Sequence, residues 1–147
     1  MTWLFKEEPT HYGYDALERD GRTVWSGVKN PLAQKHLREV KKGDRILYYH
    51  TGSEKAIVAD AAAATDAYPD PGDGSGKAFV VDIVPKRRWP RPLTLAEIKA
   101  TGKFTEFPLV RMPRLSVMPV GESELRELEK LRAREAHGSS RKPDRSR

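Results

Sequence analysis

The sequence predicts an α+β domain, a PUA-like mixed but mostly antiparallel β-barrel in outline, with short helices at its rim. Three observations carry this prediction. About six short β-prone segments are set apart by turn signals. The helical stretches among them are short, and the two kinds of element do not alternate regularly, which argues against a doubly wound parallel sheet. The chain has 147 residues, enough for one domain and too few for two of ordinary size.

Met1–Lys6 reads as a strand with Trp3 and Phe5 on one face, and Glu8-Pro9-Thr10 ends it because proline cannot donate to a ladder. Tyr14–Arg19 is a short helical turn closed by Asp20-Gly21. Thr23–Trp25 is β-prone. At Asn30-Pro31 a helix opens, with Asn30 as cap and Pro31 at the first position, where its missing N–H costs nothing. Leu32, Leu37 and Val40 are expected to face inward, with Lys35, Arg38 and Lys41 in water, until Lys42-Gly43-Asp44 stops the helix. Asp44–Thr51 and Ala56–Thr65 are strand candidates, although the alanines of the second would also suit a helix. Tyr68–Gly76 is a loop and Lys77–Val84 a buried strand, which the proline-rich run Pro85–Pro92 is expected to end. Thr94 and Glu97 make a capping box for a short helix that reaches about Thr101. Arg114–Pro119 is the last strand and Glu122–Glu135 the final helix. Residues 1–132 are the expected domain. Residues 133–147, with five basic and two acidic residues, are the expected basic, disordered tail.

Composition excludes several classes of function. There is no cysteine, hence no disulfide, thiolate metal site or cysteine nucleophile. No apolar run is long enough for a membrane helix, and Met1–Glu8 has neither the basic start nor the longer apolar run of a secretory signal. A soluble, cytoplasmic protein, monomeric by default, is the expectation. The formal charge of +6 is compatible with phosphate backbones without requiring them. His11, His36, His50 and His137 are too scattered for a metal motif, so no metal and no cofactor are expected. His36 is read on a solvated helix face and His11 in a surface loop. Serine-nucleophile and phosphate-loop signatures are absent, so no catalytic residue is assigned. Glu7 and Glu8, adjacent on a strand, point to opposite faces and cannot act as a carboxylate pair.

Two segments are candidates for binding. Arg87, Arg88 and Arg91 surround Trp89, which suits either a base stacked between phosphates or a plain basic turn. Trp25-Ser26-Gly27-Val28-Lys29-Asn30 places a flat indole before two small residues and a helix start. That suits a stacked, acceptor-rich ligand, or simply a core tryptophan at a strand end. Lys29 and Lys35 join Arg87, Arg88 and Arg91 as candidates for backbone phosphate contacts.

Eight ordered pieces, including Trp3-Leu4-Phe5-Lys6-Glu7-Glu8-Pro9, Asp20–Asn30, Lys42–His50, Pro92–Lys99 and Arg114–Val120, resemble the EVE domain, a branch of the PUA-like superfamily. The resemblance runs from residue 2 to about residue 131. It implies a PUA-like barrel and a pocket related to the aromatic cage of YTH domains, in a non-enzymatic module that reads a modified cytosine in DNA. Carried over, Trp25 is a wall, and Ser26, Val28 and Asn30 line the pocket beside it. Lys6, Glu7, Tyr49, His50, Arg111, Leu115 and Ser116 are further ligand-binding candidates. The family often has serine where this chain has Glu7, arginine at Lys29 and a serine–asparagine pair at Thr51-Gly52. A carboxylate at Glu7, if it faces the pocket, would accept from an exocyclic amine. An RNA-binding accessory domain and, by analogy with the ASCH branch, a small amidohydrolase using lysine and glutamate are the alternatives.

Overall fold

The computed structural model describes residues 1–140, with side chains as far as Ala133. Its strands are β1 (Thr2–Glu7), β2 (Thr23–Trp25), β3 (Arg45–His50), β4 (Ala56–Ala63), β5 (Tyr68–Pro69), β6 (Phe79–Thr94) and β7 (Val117–Val120). The helices are α1 (Pro9–Tyr12), α2 (Tyr14–Asp20), α3 (Pro31–Leu37), α4 (Leu95–Ala100), α5 (Pro108–Arg111) and α6 (Glu122–Ser140). The main sheet runs in the order β2-β6-β4-β3-β1-β7, with β5 paired to β6 outside that path. Its β1–β3 pair is parallel and the other pairs are antiparallel. The architecture is a mixed sheet curled into a half-barrel with short helices, as the sequence predicts.

β1 lies between β3 and β7, and Trp3, Leu4 and Phe5 are all fully buried. A strand covered on both faces needs a continuous apolar run rather than an alternating one. The alanine run is indeed a strand. Across the β3–β4 ladder Ile46 meets Ala61 and Tyr48 meets Ala59. Large side chains on one strand face small ones on the next, which accounts for alanine where β-branched residues are commoner.

The largest correction concerns Pro85–Pro92. The segment does not end the strand, since β6 continues through it for 16 residues to Thr94. Its pairing with β4 shifts register between Ile57 and Ala59, so that Leu93 faces Ile57 while Arg88 faces Ala59. Pro90 and Pro92 fall in this irregular stretch, where a missing donor breaks no ladder bond. A second correction is His36, which is half-buried at 6.4 Å from the Trp3 ring, not on a solvated face. α1 was not expected, and α6 runs beyond Glu135 to Ser140. The disorder expected of 141–147 lies outside the described residues.

The caps form as read. Asn30 Oδ1 accepts from the Ala33 N–H at 3.0 Å. Thr94 and Glu97 make the reciprocal capping box that starts α4.

Candidate functional site

The end of β1, helix α1, strand β2 and Ser26 after it border an open cavity of about 150 Å³, lined by Glu7, His11, Tyr12, Thr23, Val24, Trp25 and Ser26. That volume lies below the roughly 300–1,000 Å³ of drug-sized ligand sites and matches a single ring-sized guest. A larger hollow of about 460 Å³ lies between α4 and α6, where Lys103, Glu127 and Lys130 form a solvent-facing ion network. It is bordered by Phe104, where the smaller cavity is bordered by Trp25 and Tyr12.

Trp25 reaches this site because β2 pairs with β6, setting Trp25 opposite Val81. Trp25 is only 6% exposed, with its ring 5.3 Å from that of Phe5 and edge-on to Tyr48 at 5.5 Å. Tyr48 is also edge-on to Tyr14 and His50, and its hydroxyl donates to the Tyr12 carbonyl at 2.7 Å. Burial pushes the Tyr48 phenol far above its ordinary range, so it remains a donor. The wall is therefore fixed from behind by a packed aromatic cluster.

After Trp25 the chain turns at Gly27, whose φ of +76° favours glycine. The turn is tied down by Gln34, a buried residue of α3. Its Nε2 donates to the carbonyls of Val28 (2.8 Å) and Phe79 (3.2 Å), and its Oε1 accepts from the Phe79 N–H at 3.0 Å. Ser26 is exposed at the cavity. Val28 packs against the core, and the Asn30 side chain is occupied as a helix cap.

Glu7 supplies the polar side of the cavity. Its Oε2 accepts from His11 Nδ1, and the two side chains are 20% and 80% exposed, respectively. The bond to Glu7, followed by its charge, raises the His11 pKa above the ordinary value. Tyr12 donates to Asp20 at 2.8 Å. Sequence reasoning missed His11 and Tyr12 as lining residues. The signal was Pro9, which like Pro31 suits the first position of a helix, although Glu8 makes no side-chain cap; the short helix it starts carries both.

His50 ends β3 in register with Glu7. Its Nε2 accepts from the Tyr14 N–H at 3.0 Å, and its Nδ1 bonds Glu54 at 2.8 Å. Both ring nitrogens are thus engaged, one holding the start of α2 and the other the turn between β3 and β4. His50 borders a neighbouring cleft shared with His11, Asp15 and Arg19.

The remaining candidates do not line this cavity. Lys6 leaves β1 on the face opposite Glu7. Its ammonium lies 5.6 Å from the centre of the Tyr49 ring and donates to the Pro113 carbonyl at 2.9 Å. Burial pulls the Lys6 pKa down and pushes the Tyr49 phenol up to about 12. The Ser116 carbonyl accepts from the Lys6 backbone N–H. Leu115 is buried beside it in sequence, and Arg111 is paired with Glu106.

Among the backbone candidates, Lys29, Lys35 and Arg87 are exposed. Arg88 is held by Asp15 and Glu18, and Arg91 bonds Glu97. Trp89 is 3% exposed, donates to Asp60 Oδ2 at 3.0 Å and is covered by Arg132 at 4.0 Å. The segment is therefore neither a stacking platform nor a turn. Among the described residues no group of three or more His, Cys, Asp or Glu side chains is placed to hold a metal. No described helix is long and apolar enough to cross a membrane.

The family model of the EVE domain matches residues 1–131. The chain belongs to the EVE domain family. Its relatives include human thymocyte nuclear protein 1, 28% identical over 83% of this chain and 69% of the relative. Among solved structures, this EVE domain is similar to a Rhodopseudomonas palustris protein at TM-score 0.84 and 37% identity, covering 90% of this chain and 92% of the other. Human thymocyte nuclear protein 1, solved in complex with DNA containing 5-methylcytosine, superposes at TM-score 0.78 with 25% identity, covering 89% of this chain and 96% of the other. An ASCH protein from Zymomonas mobilis, 12% identical at TM-score 0.53, covers 88% of this chain and 94% of its own and shares the fold.

Proposed function

We propose that this EVE domain binds nucleic acid and receives a modified cytosine, turned out of the strand, in the cavity beside Trp25. The observation that carries the reading is the cavity itself: ring-sized, walled by Trp25 and Tyr12, with Glu7 and His11 as its polar edge. A turned-out base needs a stacking wall and polar groups for its edge. The relative solved with 5-methylcytosine DNA supports the nature of the partner. Exposed Lys29, Lys35 and Arg87 are the proposed phosphate contacts, and they would make binding fall as salt rises. The hydrolase alternative asks Lys6 and Glu7 to converge on one substrate, and they leave the strand on opposite faces.

The test is fluorescence anisotropy with two labelled duplexes that differ in a single 5-methylcytosine. The modified duplex is expected to bind tighter, and Ser26→Trp, which fills the cavity from an exposed position, to erase the difference. Equal affinity of the unaltered protein for both duplexes, or stronger binding to structured RNA than to either, would overturn the proposal.

A further inference from the structure

The polar edge of the cavity is a coupled pair, and its chemistry says more than its position. A carboxylate only accepts hydrogen bonds, so the proton between Glu7 and His11 is carried on His11 Nδ1. This leaves Glu7 Oε1 as an acceptor and His11 Nε2 as the other functional atom. When His11 is protonated, Nε2 carries a hydrogen and donates. When His11 is neutral with its proton still on Nδ1, Nε2 accepts.

The protonated pair therefore presents an acceptor next to a donor, and the neutral pair presents two acceptors. Cytosine offers the complement of the first arrangement: its exocyclic N4 amine donates and the adjacent ring N3 accepts. Thymine offers the reverse, with O4 accepting and N3–H donating. Against the protonated pair thymine would set acceptor to acceptor and donor to donor, leaving both contacts unmatched.

We infer that the Glu7–His11 pair selects a cytosine edge over a thymine edge, and that the selection depends on the proton His11 shares with Glu7. The inference rests on the modified-base reading above, and it assigns a specificity role to two residues whose spacing spans the strand–helix junction. Glu7 moves His11 towards keeping its proton, which extends the selective state to higher pH than an unpaired histidine would allow. The other charged and titratable groups around His11 are Glu8 at the start of α1, Tyr12 on α1, Asp15 and Arg19 on α2, and His50 on β3. Asp15 and Arg19 are opposite in sign, and Glu8 turns towards Thr10 and Thr51.

The experiment uses the full chain and short duplexes that carry one variable base opposite an abasic position, so that no pairing partner biases the result. The bases are 5-methylcytosine, cytosine, thymine and uracil. Near pH 6, about tenfold tighter binding of 5-methylcytosine than thymine is expected, within the discrimination given by one good two-bond base contact. The ratio should shrink as pH rises through the raised His11 value. Glu7→Ala should bring it near one, and His11→Ala should lower it and make it independent of pH. His11 is largely exposed, so that variant is expected to fold, as circular dichroism would verify. If 5-methylcytosine and thymine bind equally, and both more tightly than cytosine and uracil, edge selection is wrong while the modified-base reading stands. Equal binding of all four defeats both. A His11→Ala protein that keeps the full ratio at every pH removes His11 from the account.

Discussion

Replacing Gln34 by leucine tests how the segment beside the cavity is held. The Gln34 amide makes three hydrogen bonds, to the Val28 carbonyl and to both backbone groups of Phe79. At a net value of about 1 kcal/mol each, their loss costs about 3 kcal/mol. Leucine in the same buried position returns about 1 kcal/mol of that through apolar burial, so a net loss of about 2 kcal/mol is expected. For a chain of this size the melting temperature should fall by about 8 °C. Urea titration followed by circular dichroism should show a lower midpoint with an unchanged slope. The Phe79 amide, which loses its acceptor, should exchange with solvent faster than in the parent. A loss under about 0.5 kcal/mol would refute the reasoning, because water would then be replacing all three contacts at no cost.

Other outcomes follow from single contacts. Asn30→Ala should cost about 1 kcal/mol in urea titration, since the cap on Ala33 is lost. Asp60→Ala removes the acceptor for both Arg45 and the buried Trp89 indole, and should cost about 2–3 kcal/mol by the same assay. His11 gives a pH dependence of stability. Its folded value lies above the ordinary 6.5, so the stabilisation it gains from Glu7 is complete below that pH and is lost as pH rises through the raised value. The melting-temperature gap between the parent and His11→Ala should therefore be wider near pH 6 than near pH 8.5.

Local chemistry was legible in the sequence where a few neighbouring residues decide the outcome. Asn30-Pro31 and Thr94–Glu97 are such places, because a cap needs only its own first turn. The path of β6 was not legible, because Pro90 and Pro92 forbid a regular ladder and only the irregular pairing with β4 accommodates them. Within the candidate site, the residues alone left Trp25 open between core and pocket, and it was the family resemblance that placed Trp25 and Ser26 at a pocket. The separation of Lys6 from Glu7 followed from strand alternation, the argument already applied to Glu7 and Glu8. What no local pattern contains is the bonding of Gln34 to Phe79, 45 residues away, or the placing of Tyr48 behind Trp25. Both depend on strands far apart in the chain coming into register.

The place of β1 between β3 and the edge strand β7 has a consequence for how this protein is made. Thr2–Glu7 is synthesised before its neighbours, yet one edge waits for β3 and the other for β7, with Thr2 finally facing Val120. At usual rates of synthesis roughly 6–24 s separate the two ends of that pairing. Throughout the interval Trp3, Leu4 and Phe5 belong to a strand with at least one open edge, the kind of surface that captures other chains. The newborn chain is thus most prone to aggregation before Val117–Val120 leaves the ribosome, and an early stop short of that segment would leave the edge open for good.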